Sequence, residues 1–152
     1  MSNQNDLWKG HYRTAQKKLF NGNIQEAFSE ALSCQKILED SYKTYEFQYR
    51  VFAINNLSDV IFLLKDCSVK NGCFNCAEKH LLNGKMILEK IFYDRKLEPM
   101  LRQNARKQLG VFSKEIFKFY SKKELEYELA SAKASHKKNQ SYLFLIKEEY
   151  DD

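Results

Sequence analysis

The chain reads as an all-α protein of about six antiparallel helices stacked as three helical hairpins, and three observations predict this. Glycine and proline are scarce, with Gly 5 and Pro 1 in 152 residues, whereas an all-β chain needs a turn signal about every ten residues. Apolar residues recur at helical rather than alternating spacing along most of the chain. The third observation is a self-similarity at a spacing of fifty. Residues 21–39, NGNIQEAFSEALSCQKILE, align without a gap on residues 71–89, NGCFNCAEKHLLNGKMILE, and internal repeats of this kind set an architecture.

The first hairpin is expected over about 7–40. Before Gly22, the residues Trp8, His11, Tyr12, Ala15 and Leu19 fall on one helical face, and after it Ile24, Ala27, Phe28, Ala31, Cys34 and Leu38 do the same. The Asn21-Gly22 pair ends one stripe and opens the other, because glycine admits the left-handed backbone that closes a helix. Ala15, Ala27 and Ala31 are small enough to let the two backbones approach closely.

The second hairpin is expected over about 43–94, turning at Asn71-Gly72. Phe74, Ala77, Leu81, Gly84 and Leu88 repeat the stripe of the first copy, with Gly84 standing where Cys34 stands. The segment Tyr42 to Lys70 differs, because Tyr45, Tyr49, Phe52, Leu63 and Cys67 mark one face while Phe47, Val51, Ile54 and Phe62 mark the opposite one. A helix apolar nearly all round is one sandwiched between neighbours, or one that exposes a groove or dimer surface.

The third hairpin is expected over about 98–138. Pro99 fits the first turn of its first helix, where a missing N–H does no harm. Leu101, Ala105, Leu109, Phe112, Ile116 and Phe119 follow as the cleanest stripe. Ser121 with Glu124 has the capping-box pattern for a last helix carrying Leu125, Leu129 and Ala132. The C-terminal segment 139–152 holds a short apolar run, YLFLI at 142–146, that continues the helix or docks separately.

At this length one domain is expected, able to bury about two-thirds of its unfolded surface without disulfides or metal. Hydrophobic residues at 43%, charged ones at 30%, Phe 11 and Tyr 9 describe a globular chain with an aromatic core. The polar N-terminal residues and the absence of any apolar run approaching about 18 residues predict a soluble cytoplasmic protein without membrane insertion. The four cysteines, Cys34, Cys67, Cys73 and Cys76, are then expected as reduced thiols. The net charge is +5. The acidic ending KEEYDD makes the remainder mildly basic, which is not by itself a nucleic-acid signature.

The pattern A-x6-G-x-I-x2-A-F at residues 15–28 resembles the tetratricopeptide repeat (TPR), and Gly72-Cys73-Phe74-Asn75-Cys76-Ala77 fits the same turn. The resemblance covers residues 8–38 well and 58–92 partly, and the third unit lacks the glycine. The spacing is fifty rather than about 34, and Lys65 stands where the first unit has Ala15. It implies a TPR-like right-handed array serving as a non-catalytic protein- or peptide-binding module: an adaptor, chaperone or regulator. Terminal-carboxylate clamps in that family use first-helix lysine and asparagine. The matching positions here are Lys9, Tyr12, Arg13 and Gln16, so that clamp is not in place. Tyr12, Arg13, Gln16, Tyr45, Tyr49 and Phe52 are the candidate groove residues. The apolar end faces of such an array need capping, by YLFLI or by a homodimer partner.

An alternative is chemical. Cys67-x5-Cys73-x2-Cys76-x3-His80 places four zinc-competent ligands in a short stretch, with Cys73, Cys76 and His80 on one side of a predicted helix. Against zinc, the homologous turn NGNIQE carries no ligand, and cysteine is comfortable there as a small hydrophobe. Thiol-redox use of Cys73 and Cys76 is a further option, since a helix N-terminus favours thiolate, although no thioredoxin-like strand–helix context surrounds the pair. Basic residues recur late in the chain, Arg102 and Arg106 among them, and Lys107, Lys114 and Lys118, opposite the apolar stripe, read as a solvated face, with nucleic-acid binding as a minor alternative. His11 and His136 fall on or beside apolar stripes and are expected to be packed. No glycine-rich phosphate loop, nucleophile motif or paired-carboxylate motif appears, so no catalytic residue is expected.

Overall fold

A computed structural model describes the backbone of residues 2–122 and 126–150 and the side chains of residues 4–122 and 128–141. Among the described residues the chain forms six helices and no strand: α1 Ser2–Phe20, α2 Ile24–Lys43, α3 Phe47–Lys70, α4 Phe74–Phe92, α5 Pro99–Lys122 and α6 Glu126–Tyr150. The helix α1 pairs with α2, α2 with α3, and α5 with α6. The chain divides into two compact units, Met1–Met86 and Ile87–Asp152, with the division inside α4.

In the first unit, Gly22 and Gly72 sit at φ 84 and 77, the left-handed region that glycine enters without strain. Around each, the chain makes the same bonds. The N–H groups of Gly22 and Asn23 donate to the carbonyls of Leu19 and Lys18 at 3.1 and 2.8 Å, and those of Gly72 and Cys73 to Val69 and Ser68 at 3.0 and 2.9 Å. This pair of bonds, one to the carbonyl three residues back and one to the carbonyl five back, is the Schellman closure of a helix. The fifty-residue correspondence is therefore a correspondence of backbone geometry. The hairpins, spanning 2–43 and 47–92, are longer than a repeat of about 34 residues accommodates, and the structure does not show TPR repeats as such.

The expected stripes form the core of this unit. Ala15, Ala27 and Ala31 are fully buried at the approach of α1 to α2, with Cys34 and Leu38 continuing the seam. Trp8 stacks on Tyr12 at 5.0 Å and meets the Phe52 edge at 6.2 Å. The helix α3, which packs on α2 and touches α1, buries Phe52, Ile54, Val60, Ile61, Leu63 and Leu64. Its apolar circumference is thus explained by neighbours on more than one side.

Two boundaries differ from the sequence reading. The helix α2 runs on to Lys43 and α3 starts at Phe47, so Tyr42 to Lys70 is not one segment. Tyr45, between them, adopts φ 64, an uncommon state for a residue with a Cβ that costs on the order of 1 kcal/mol. Arg50 holds this corner: its guanidinium lies 4.5 Å from each of the Tyr42 and Tyr45 rings, and its Nε donates to the Tyr42 carbonyl at 3.1 Å. The second difference is at the far end. Ser121 lies within α5 rather than capping α6, and Glu124 and Leu125 fall outside the described residues. The backbone of 142–146 continues α6; the YLFLI side chains lie outside the described residues.

In the second unit α5 packs against α6, and Leu101, Ala105, Leu109, Phe112, Ile116 and Phe119 are all buried as the stripe predicts. Lys107, Lys114 and Lys118 are exposed, as a solvated face requires, whereas Arg102 on the same helix is completely buried and its Nε donates to the Phe92 carbonyl at 2.9 Å. It satisfies one of the carbonyls that the end of α4 leaves open. Arg106 is half-buried and donates to Gln140 of α6. Buried Asn139 donates to Glu89 at 3.2 Å and accepts from the Tyr93 hydroxyl. His136 packs edge-on against Phe117, as its place beside a stripe predicts.

Candidate functional site

Residues one and two helical turns apart on α1 and α3 line an open hollow of about 480 Å³ in the first unit. The helix α1 contributes Tyr12, Gln16, Leu19 and Phe20; α3 contributes Asp59, Phe62, Leu63, Asp66, Val69 and Lys70. Its floor is apolar. Phe20 is 87% exposed and Val69 46%, so large hydrophobes stand in solvent on both helices. A shallower hollow of about 430 Å³ adjoins it, lined by Arg13, Gln16, Lys17, Phe20 and Asn21.

The charged residues lining the larger hollow are Asp59, Asp66 and Lys70. Asp59 is exposed, but the surrounding apolar walls desolvate it enough to raise its carboxyl from the ordinary value, and among the described residues it has no ion-pair partner. Asp66 is neutralised in part by Lys65 at 2.6 Å. The Tyr12 hydroxyl is raised by burial first and then by the charges of Asp59 and Asp66. A carboxylate with its phenolic neighbour, over Leu19 and Leu63, is a setting that a cation attached to an apolar stem completes.

Three of the expected groove residues, Tyr12, Arg13 and Gln16, line these hollows. The structure does not bring Tyr45, Tyr49 and Phe52 to them: Tyr45 is part of the Arg50 corner, Tyr49 is half-buried in the first turns of α3, and Phe52 is a core residue against Trp8. Asp59, Phe62, Asp66 and Lys70 were not among the expected residues. The signal for Asp59 and Asp66 was present, since Asp59 is the first charge after Arg50 in a largely apolar helix and Asp66 follows two turns later.

The cysteine-rich turn is built differently from the expectation of reduced thiols. Cys73 and Cys76 are joined in a disulfide, and only Cys34 and Cys67 are free, both buried. The bridge forms because two residues three apart at the start of a helix have their Cα atoms 5.3 Å from each other, within bridging range. Cys73 precedes α4, and its sulfur accepts the N–H of Cys76 at 3.2 Å, the place of an N-cap acceptor. In the first copy Asn23 makes no such side-chain bond. Ile24, Gln25, Phe28, Cys67 and His80 gather beside the pair around a hollow of about 210 Å³.

His80 lies against the Phe28 ring at 6.0 Å, and burial lowers its basicity. Burial raises the Cys67 thiol as well, and pushes Cys34 up to about 12. Among the described residues no group of three or more His, Cys, Asp or Glu side chains is arranged to hold a metal. Cys67, Cys73, Cys76 and His80 therefore share a neighbourhood without forming the tetrahedral ligand set that zinc needs. No described helix is long and apolar enough to cross a membrane. Comparison with protein-family models, with curated proteins and with solved structures gives no match.

Proposed function

We propose that the chain is a non-catalytic binding module that holds a segment of another protein in the hollow between α1 and α3, with a lysine or arginine of that segment directed at Asp59. The observation that carries this reading is the pairing of an exposed carboxylate, without an ion-pair partner among the described residues, with exposed Phe20 and Val69 around one apolar floor. Apolar burial supplies affinity, and the charge fixes register and excludes acidic segments. The polarity is opposite to that of a clamp for terminal carboxylates. It agrees with the absence of the asparagine and second lysine such a clamp uses, and the TPR-like turns support an adaptor or regulatory role.

The test is a selection of displayed random peptides on the immobilised full chain, followed by titration of the enriched peptides. Enriched sequences are expected to place Lys or Arg next to apolar residues. Asp59→Asn is expected to weaken their binding about tenfold, the size of one charge-assisted hydrogen bond. Enrichment of acidic sequences, or affinity that ignores both Asp59→Asn and Tyr12→Ala, would sink the reading.

A further inference from the structure

The turn at residues 71–76 carries chemistry that peptide binding leaves unused. Its backbone bonds repeat those of residues 21–23, and the first copy forms them without a cysteine, with Asn23 and Glu26 at the corresponding positions. The chain thus contains its own control, and the control shows that the Cys73–Cys76 bond is not what makes the turn. The bridge has a sequence separation of 3, so it constrains the unfolded chain less than any longer bridge would. Cys76 is exposed and Cys73 half-buried, which leaves the bond open to attack from solvent.

We infer that Cys73 and Cys76 form a thiol–disulfide exchange site whose substrates are external dithiols. A thiolate of the dithiol attacks Sγ of Cys76, the exposed sulfur; the Cys73–Cys76 bond breaks and Cys73 leaves as a thiolate. That negative charge is received where the structure already aims a donor, the Cys76 N–H at 3.2 Å, at the positive end of α4. The second thiol of the dithiol then attacks its own sulfur in the mixed disulfide and expels Cys76. Two electrons pass to the protein, and its two sulfurs take up the two protons that the dithiol loses. The hollow lined by Ile24, Phe28 and His80 seats the carbon skeleton of the incoming thiol. Cys34 and Cys67, buried and held as thiols, take no part.

The full chain, equilibrated with mixtures of reduced and oxidised dithiothreitol and then alkylated without unfolding, is mapped by mass spectrometry. One two-electron transition is expected, adding alkyl groups at Cys73 and Cys76 with helix content retained, while Cys34 and Cys67 label only after denaturation. A bridge that stays closed in excess reduced dithiothreitol overturns the inference. So do thiols that fail to close in the oxidised form, or a reduction that unfolds the protein. The attacked sulfur is identified by opening the bridge with excess reduced glutathione, quenching in acid and mapping the mixed disulfide, which is expected on Cys76. A mixed disulfide found on Cys73 overturns the assignment of Cys76 as the attacked sulfur.

Discussion

Asn23 and Cys73 occupy the same position of the same turn: each donates its N–H to the carbonyl five residues earlier, at 2.8 and 2.9 Å, and each is followed by the first residue of a helix. The glycine before each, at φ 84 and 77, is what lets the chain reach that carbonyl. Nothing stands within 4 Å of where a Cβ would sit on either glycine, so a substitution meets backbone strain and no clash. Gly22→Ala and Gly72→Ala are each expected to destabilise the protein by about 1 kcal/mol, and the asparagine variants by less. Urea unfolding of the four variants checks this, and losses well above that size would mean the turns do more than close helices.

The turns were legible because glycine between two helical stripes in a glycine-poor chain has one physical reading, and the stripes were legible because burial follows a period. What the sequence could not reveal depends on partners brought in from elsewhere. Arg102 looks like the lysines near it, and only the fold shows that the open end of α4 needs a donor at Phe92. Phe52 and Tyr45 belong to one apolar list in sequence, yet Phe52 is 7% exposed and Tyr45 80%, because the helix break at Thr44 turns them into different environments. Asp59 could have been read, as the first charge after Arg50 in an apolar helix. The bond between Cys73 and Cys76 could be suspected from spacing, but it depends on where α4 begins.

Arg102 makes a direct prediction. It is fully buried and bonded to a helix-terminal carbonyl, so truncation leaves both a cavity and an acceptor without this donor. Arg102→Ala should lower stability by on the order of 3 kcal/mol. Arg102→Met, which keeps most of the volume, should lower it less. Arg102→Lys should not restore the wild-type value, since an ammonium lacks the planar fork and is hydrated more strongly. Thermal and urea midpoints of the full chain report these; a neutral Arg102→Ala would contradict the capping role.

His80 ties stability to pH. Burial holds its imidazole below the ordinary value of 6.5, so the unfolded chain takes the proton first as the solution is acidified. Protons bound by the unfolded state favour unfolding, and stability therefore falls as pH drops through about 6.5 towards the lowered native value, then levels off. His80→Gln, which stays neutral, should flatten that part of the profile and leave stability above pH 7.5 little changed. Melting temperatures of both proteins between about pH 8 and pH 5 decide it, and parallel profiles would show that His80 is not the source.

Asp59 gives the opposite sign, and that opposition separates a binding group from a structural one. Its carboxyl is raised above the ordinary 3.8 by desolvation, so the native state takes a proton before the unfolded chain does. At neutral pH the charged form is a liability to folding, and protonation relieves it: its contribution improves as pH falls through the raised native value and is complete below 3.8. A basic segment in the hollow needs the charged form, so its affinity should fall over the same acid range. Tyr12, Asp66 and Lys70 face the same hollow and stay with Asp59 in any comparison. Asp59→Asn is thus expected to bind weakly at every pH while melting no lower than wild type at pH 7, the trade-off of a site held against stability. If Asp59→Asn instead melts well below wild type, the carboxylate belongs to the fold and the hollow loses its claim as a cation-reading site.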